Sequence, residues 1–174
     1  MRIIAGKFRH RIIDMTNLET TRETQDSVRE AIFNMIGPYF DGGICLDLFA
    51  GSGAMGIEAI SRGMNELYLN DLNKDAIRVC KSNCDKLGIE ANYFNLDYEL
   101  FLNQNKILFD LIILDPPYRM NDTKAILDLV KSHLNKNGMI VFEMAKETKY
   151  SYEDLRIIKD KTYGIKRVVV YKEL

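Results

Sequence analysis

The sequence Ile-Cys-Leu-Asp-Leu-Phe-Ala-Gly-Ser-Gly-Ala-Met-Gly occupies residues 44–56. Its first six residues are mostly apolar and lack the alternation of a half-exposed strand, so they predict a buried strand of a parallel sheet. In the Gly-x-Gly-x-x-Gly that follows, Gly51 and Gly53 permit a tight turn, and Gly56 lets the next helix pack closely on the strand. The N-terminus of that helix offers free N–H groups to a polar or anionic ligand. We therefore expect a strand, a turn and a helix that bind a ligand.

Two acids near this unit indicate which ligand it binds. Asp71 follows a second strand-like run at residues 66–70, 20 positions after Gly51, where an acid can accept hydrogen bonds from ribose hydroxyls. Asp47 lies inside the first strand, where its charge would repel a pyrophosphate but would suit the cationic amino group of a methionine moiety. The glycine pattern alone also fits a nicotinamide dinucleotide. Asp47 and the motif at residues 115–118 favour S-adenosylmethionine over that alternative.

The motif in question is Asp115-Pro116-Pro117-Tyr118, which follows a strongly apolar run at residues 109–114. Proline lacks an N–H and has a fixed φ, so the loop is stiff and leaves carbonyl oxygens free to accept hydrogen bonds. Asp115 and one such carbonyl can hold the two hydrogens of an exocyclic amine, and Tyr118 offers a flat face for stacking a planar base. The alternative is a rigid turn with a surface tyrosine. The motif occurs together with a sheet that carries a glycine turn, and this combination favours an amine methylation site that needs no metal.

Asp97 closely follows a third strand-like run at residues 91–95. The carboxyl ends of strands are where open α/β sheets bind ligands, so Asp97 is placed to accept a hydrogen bond from an adenine amino group. The alternative is that it caps the helix that follows. The two roles are compatible.

The composition restricts the class of protein. A chain of 174 residues with 47% hydrophobic and 28% charged residues predicts one globular domain. The net charge of −1 gives no general attraction to nucleic acid, so any RNA contact must come from local patches. No apolar stretch approaches the roughly 20 residues of a membrane span. Three cysteines without a disulfide framework suit a reducing cytoplasm.

Strands and helices alternate after residue 43, which predicts an α/β fold with a parallel sheet. Predicted strands occupy residues 44–49, 66–70, 91–95, 109–114 and 139–142. Predicted helices occupy residues 54–62, 74–86 and 123–134, with a helix or turn at 97–104 and a turn at 135–138. The runs at 155–159 and 166–172 suggest an antiparallel pair added to that sheet.

The N-terminal residues 2–13 predict two short strands around a turn, followed by a helix from Thr24 that ends before Gly37. Four basic residues precede the first acid of this segment. They either keep an edge strand from pairing or bind phosphate groups. Arg22 and Arg29 could likewise contact phosphate or pair with neighbouring acids.

The motif at residues 115–118 matches the Asp/Asn-Pro-Pro-aromatic signature of class I methyltransferases that act on planar amino groups. Residues 1–6, 21–34 and 46–63 resemble one subfamily, the bacterial 16S rRNA (guanine-N2)-methyltransferases of the small ribosomal subunit. The resemblance covers nearly the whole chain. It implies a Rossmann-like, doubly wound, seven-stranded and mostly parallel sheet with an antiparallel C-terminal strand, preceded by a small N-terminal β-hairpin and helix.

The resemblance also assigns roles along the chain. It implies one methyltransferase domain over residues 1–174, with an extension at 1–40 that contacts RNA and a catalytic core at 43–174. The expected cofactor contacts are Asp47, Phe49, Gly51, Gly53, Gly56, Asp71 and Asp97. The expected phosphate contacts are Arg9, Arg11, Arg22 and Arg119. The family usually has Arg-Pro-Thr where this chain has Arg22-Glu23-Thr24, and usually Glu at the position of Asp71.

We therefore expect a monomeric cytoplasmic enzyme that transfers a methyl group from S-adenosylmethionine to the N2 of a guanine in 16S rRNA, within an assembling small subunit. The guanine must leave its stack to reach Asp115 and Tyr118. The same motif also serves adenine-N6 or cytosine-N4 methylation of DNA and glutamine-N5 methylation of protein. A nicotinamide-dependent reductase and a non-catalytic ribosome-assembly factor are the alternatives outside this class.

Overall fold

A seven-stranded sheet forms the centre of the molecule. The structure is a computed structural model that describes residues 1–16, 24–117, 120, 122–148 and 152–174. Its strands are β1 (Ile44–Asp47), β2 (Glu66–Asn70), β3 (Asn92–Phe94), β4 (Phe109–Leu114), β5 (Leu134–Ala145), β6 (Arg156–Tyr163) and β7 (Lys166–Lys172). Their order is β3-β2-β1-β4-β5-β7-β6. The first five run parallel, and β7 is antiparallel to both of its neighbours. This confirms the predicted sheet.

Helices cover both faces of the sheet. They are α1 (Asp26–Ile36), α2 (Ala54–Ser61), α3 (Lys74–Leu87), α4 (Tyr98–Gln104) and α5 (Thr123–Val130). Because side chains alternate along a strand, Cys45 packs on the face covered by α1, α2 and α3, whereas Leu46 packs on the face covered by α4 and α5. All three cysteines are buried, and none of them forms a disulfide. None of the described helices is long and apolar enough to cross a membrane.

The element boundaries around the start of β5 differ most from the prediction. The helix predicted at residues 123–134 ends at Val130, and β5 already begins at Leu134. The predicted turn at 135–138 therefore lies within β5. Leu134 pairs with Phe109, and an irregularity in the pairing follows before Leu111. This irregularity and the left-handed φ of 68° at Asn137 accommodate the turn residues inside the strand, because a bulge adds residues without ending the pairing.

The N-terminal extension is held against α2. Its predicted hairpin is reduced to a single bridge between Arg2 and Ile12. The carboxylate of Glu58, which is fully buried, accepts hydrogen bonds from the N–H groups of Ile4 at 2.9 Å and Ala5 at 3.1 Å. Backbone N–H groups of the extension that have no strand partner thus obtain an acceptor from a helix side chain. The extension is therefore positioned by the same helix that follows the glycine turn.

Two buried arginines complete this contact. Arg62 donates to Glu58 at 2.7 Å, and Nε of Arg29 lies 3.7 Å from the same carboxylate. Arg29 also donates to Asp26 at 3.1 Å. For Arg29 the pairing alternative is therefore correct, although the pair is buried. The attraction between the two guanidinium groups and the Glu58 carboxylate offsets the cost of removing these charges from water.

Gly6 packs against the backbone at the end of α2, and we expect Gly6→Ala to destabilise the protein. A Cβ at Gly6 would lie 1.7 Å from the carbonyl oxygen of Ser61, which is backbone and cannot move aside as a side chain can. Gly164→Ala is a matched control, since Gly164 has a similar positive φ but open space around it. We expect Gly6→Ala to lower the free energy of unfolding by about 1–3 kcal/mol more than Gly164→Ala, measured with urea. Equal losses would mean that the extension is not held at Gly6.

Candidate functional site

A large cavity opens at the carboxyl ends of the parallel strands. Its volume is about 430 Å³, within the range of small-molecule sites. Five of the seven predicted cofactor residues line it, namely Asp47, Phe49, Gly51, Asp71 and Asp97. Other lining residues include Asn70, Leu96, Tyr98, Asp115, Pro116, Pro117 and Met120. Gly53 and Gly56 are not among the lining residues. They shape the turn and the helix behind it, and their predicted contact with the cofactor remains a prediction.

The glycine turn has the predicted geometry. Gly51 and Gly53 have φ values of 55° and 80°, which only glycine adopts readily. A Cβ at Gly56 would lie 2.7 Å from a methyl carbon of Leu67. Glycine at this position therefore lets α2 approach β2, and the backbone of the turn is brought to the cavity wall.

Asp47 is buried at the end of β1, with 2% of its surface exposed. Its Oδ2 accepts a hydrogen bond from the N–H of Gly56 at 3.0 Å. Gly56 lies in the first turn of α2, whose N–H groups have no partner within the helix. Asp47 thus caps α2 from the neighbouring strand while it lines the cavity. Its contact with the amino group of a cofactor remains a prediction.

Asp71 links the glycine turn to the start of α3. Its Oδ2 accepts from the N–H of Gly51 at 2.9 Å, and its Oδ1 accepts from the N–H of Asn73 at 2.8 Å. Each carboxylate oxygen has a second lone pair, so these bonds leave acceptor capacity for a ribose hydroxyl. The arrangement fixes the carboxylate at the cavity wall. Its ribose contact remains a prediction.

Asp97 and Phe49 occupy the part of the cavity next to α4. Asp97 accepts a hydrogen bond from the N–H of Glu99 at 2.9 Å, which confirms the capping alternative. The ring of Phe49 packs on that of Tyr98 with centroids 5.7 Å apart. These residues form an aromatic and acidic wall, a surface on which a purine can stack and donate hydrogen bonds.

The loop Asp115-Pro116-Pro117 separates the large cavity from a smaller one of about 240 Å³. All three residues line both cavities, as does Met120. The smaller cavity is completed by Thr123, Phe142, Glu143, Met144, Ala145, Thr148 and Lys166. A ligand in either cavity would therefore contact this loop. The predicted contributions of Tyr118 and Arg119 lie outside the described residues, as does that of Arg22.

A cluster of polar side chains surrounds Asp115, and the sequence did not predict it. Lys166 donates to Glu143 at 2.7 Å and contacts Oδ2 of Asp115 at 3.4 Å. The hydroxyl of Thr24 lies 2.8 Å from Glu143, 2.9 Å from Lys166 and 3.2 Å from Asp115. We call these four residues the Asp115 cluster. Glu143 carried a signal that could have been used, because it is an acid at the carboxyl end of a buried strand, like Asp115 itself.

The cluster places two carboxyl groups around one ammonium. Burial and the neighbouring Glu143 carboxylate raise the pKa of Asp115 to about 7, against the opposing effect of Lys166. A carboxyl group titrating near neutrality is typical of functional sites. The raised pKa therefore marks Asp115 as a candidate functional acid.

The predicted RNA contacts on the extension are exposed. Arg9 and Arg11 both face solvent, on the segment that Glu58 and Ser61 hold against α2. Basic side chains on a fixed segment can contact phosphate groups. Their binding of RNA remains a prediction.

The strand order, the glycine turn after β1 and the Asp-Pro-Pro loop after β4 together define a class I methyltransferase fold. The chain belongs to the family described as Conserved hypothetical protein 95, which matches residues 1–172. A Bacillus subtilis relative, named provisionally as an rRNA methyltransferase, is 41% identical over 99% of both chains. Ribosomal RNA small subunit methyltransferase D of Haemophilus influenzae is 34% identical over 99% of this chain and 93% of that protein.

A solved structure shows the same similarity. It is that of an Escherichia coli protein described provisionally as a methyltransferase, and it superposes with a TM-score of 0.87 at 28% identity, covering 99% of this chain and 97% of that one. These findings confirm the resemblance to the rRNA methyltransferases of the small ribosomal subunit.

Proposed function

We propose that this protein transfers a methyl group from S-adenosylmethionine to the exocyclic N2 of a guanine in 16S rRNA. The observation that carries the proposal is the Asp115-Pro116-Pro117 loop, which lines two cavities at once. The substrate class is supported by the relatives, one of which is named ribosomal RNA small subunit methyltransferase D. We expect the substrate to be an assembling small subunit and the enzyme to act as a monomer.

The large cavity suits S-adenosylmethionine. Four acids line it, Asp115 among them, and we assign the other three to the cofactor: Asp47 to the amino group, Asp71 to the ribose hydroxyls and Asp97 to the adenine amino group. Phe49 provides an apolar surface for the adenine ring, and Gly51 lets a ligand approach the backbone. When bound, the cofactor supplies an electrophilic sulfonium methyl group.

The small cavity is our proposed site for the flipped guanine. An enzyme that acts on the edge of a base must take it out of its stack, and the opposite side of the Asp-Pro-Pro loop is the position from which an amine can reach the large cavity. Phe142 and Pro117 give this cavity apolar surface. We assign Tyr118 to stacking on the base, and Arg9, Arg11, Arg22 and Arg119 to the surrounding phosphates.

Asp115 has two tasks in this mechanism. Its carboxylate, with a loop carbonyl, accepts hydrogen bonds from the amine and directs the nitrogen lone pair at the methyl group, which is catalysis by orientation. It also stabilises the positive charge that grows on the nitrogen. The prolines keep the loop stiff, so that the acceptors are in place before the base arrives.

Identification of the methylated nucleoside tests the proposal. Purified protein is incubated with tritiated S-adenosylmethionine and with 30S particles or 16S rRNA that lack the modification, and the RNA is digested to nucleosides. We expect the label in N2-methylguanosine. Label in another amino-methylated nucleoside would retain the amine chemistry and contradict the guanine assignment. Labelled DNA or protein, with unlabelled rRNA, would contradict the RNA substrate.

A further inference from the structure

The Asp115 cluster contains more charge than the proposed amine contact requires. Glu143 is 2% exposed and Lys166 is 9% exposed, although charged side chains are almost never buried without a partner. Glu143 comes from β5 and Lys166 from the first position of β7. Each strand thus contributes one buried charge beside the Asp115-Pro116-Pro117 loop, which follows β4. Burial of two charges is costly unless their geometry is good. Such a pair next to the proposed catalytic carboxylate calls for a functional explanation.

The hydrogen bonds show how the cluster is ordered. The Thr24 hydroxyl has one hydrogen and lies closer to Glu143, at 2.8 Å, than to Asp115, at 3.2 Å. It therefore donates to Glu143 and accepts from Lys166 at 2.9 Å. Glu143 thus receives two hydrogen bonds, one from Thr24 and one from Lys166. The ammonium of Lys166 is held in place, 3.4 Å from Asp115.

The contacts of Asp115 are unequal between its two oxygens. Both side-chain contacts that the described residues make with this carboxylate, from Thr24 and Lys166, involve Oδ2. A carboxylate fixed through one oxygen presents the other at a defined angle. Asp115 lines both cavities and its side chain is 30% exposed, so a ligand in either cavity can reach this carboxylate.

We infer that Lys166 and Glu143 are positioning residues for Asp115: Lys166 keeps the Asp115 carboxylate ionised and fixed through Oδ2, and Glu143 holds Lys166 in place. The inference rests on the proposed function, which gives the second oxygen of Asp115 an amine to bind. Neither residue needs to contact the cofactor, since both line only the small cavity. Their effect is on the charge and orientation of Asp115.

Glu143 and Lys166 act on the charge of Asp115 in opposite directions. An adjacent cation favours the ionised form of a carboxyl group, and an adjacent anion disfavours it. Accordingly Glu143 raises and Lys166 lowers the pKa of Asp115, which burial raises most. The charged residues that line either cavity with Asp115 are Arg29 from α1, Asp47 from β1, Asp71 after β2, Asp97 before α4, Glu143 from β5 and Lys166 from β7.

The test is the titration of Asp115 in variants that remove one charge at a time. Protein labelled with 13C at the aspartate carboxyl groups is titrated by NMR, and the Asp115 signal is assigned by its absence in Asp115→Asn. Lys166→Met should move the titration midpoint of Asp115 to higher pH, and Glu143→Gln should move it to lower pH, each by about one pH unit or more. Lys159→Met is the matched control, because Lys159 is exposed on β6, and it should leave the midpoint unchanged.

The same variants are then assayed for methyl transfer across this pH range. Because we propose that the ionised carboxylate is the active form, the rate should fall on the acid side of the Asp115 midpoint. This acid limb should move to higher pH in Lys166→Met and to lower pH in Glu143→Gln. Asp115→Asn should lose the limb, since an amide does not titrate there. Binding of S-adenosylhomocysteine, measured by calorimetry, should be unchanged in Lys166→Met and Glu143→Gln.

The outcomes separate this inference from the proposed function. A midpoint that stays constant in both variants, or moves in the same direction in both, would overturn the inference whatever the activity. Midpoints that move while the acid limb stays fixed would also overturn it. If the wild-type protein labels no guanine, the proposed function fails while the NMR titration still decides the role of the pair. Should Lys166→Met fail to fold, Glu143→Gln alone must still lower the midpoint.

Discussion

Asp115→Ala is expected to reduce the rate of methyl transfer by about 10³-fold, the size of effect found when one preorganised electrostatic group is removed from an active site. The substitution removes the carboxylate that we assign to orienting the amine and to stabilising its growing charge. Single-turnover assays with tritiated S-adenosylmethionine and rRNA lacking the modification would measure the effect. Binding of S-adenosylhomocysteine should persist, because Asp47, Asp71 and the glycine turn line the large cavity independently.

Asp115→Asn is the matched control for this experiment. Its amide keeps one acceptor oxygen and nearly the same shape, so orientation of the amine is partly retained while the charge is lost. We expect its rate to lie between those of the wild type and Asp115→Ala. If Asp115→Ala lost cofactor binding together with turnover, Asp115 would belong to the cofactor site and our division of roles would be wrong. If the alanine variant kept wild-type turnover, the amine site would have to be elsewhere.

The second large effect concerns stability. We expect Glu58→Ala to lower the free energy of unfolding by about 3–5 kcal/mol, as is usual when one partner of a buried charge pair is removed. The carboxylate of Glu58 accepts from Ile4 and Ala5 and pairs with Arg29 and Arg62. Its loss leaves two buried guanidinium groups without this anion and two N–H groups of the extension without this acceptor. Guanidinium chloride unfolding followed by circular dichroism would measure the change.

Glu30→Ala is the control for Glu58→Ala. Glu30 is an exposed glutamate on α1, so the same chemical change should alter the free energy of unfolding by no more than about 0.5 kcal/mol. Losses of equal size in the two variants would show that the buried network does not hold the extension on α2.

Most of the fold could be predicted because it depends on local patterns. The apolar runs at residues 44–49 and 109–114 identified β1 and β4, and the glycines that follow Phe49 located the turn. Prediction was wrong where tertiary pairing overrode local chemistry. Asn-Lys-Asn-Gly at residues 135–138 has the composition of a turn, but pairing of the flanking Leu134 and Met139 with β4 keeps it within β5.

The candidate site was predicted only in part, for a related reason. Asp71, Asp97 and Asp115 were found because each follows a strand, and parallel strands bring their carboxyl ends to one edge. Lys166 could not be found in this way. Lys166 is the first residue of β7, which is antiparallel to β5, so it lies at the edge of the sheet where the parallel strands end. Thr24 precedes a helix, and no pattern in the chain indicates that it lies against residues more than 90 positions away.

The position of β7 also bears on the order in which the site is assembled during synthesis. β7 lies between β5 and β6 but follows both in the chain, so the sheet closes only after β7 has been translated. The residues that line the large cavity all fall within 24–120, whereas Lys166 reaches Asp115 only when β7 inserts. The contact that holds the Asp115 carboxylate is therefore the last part of the site to form.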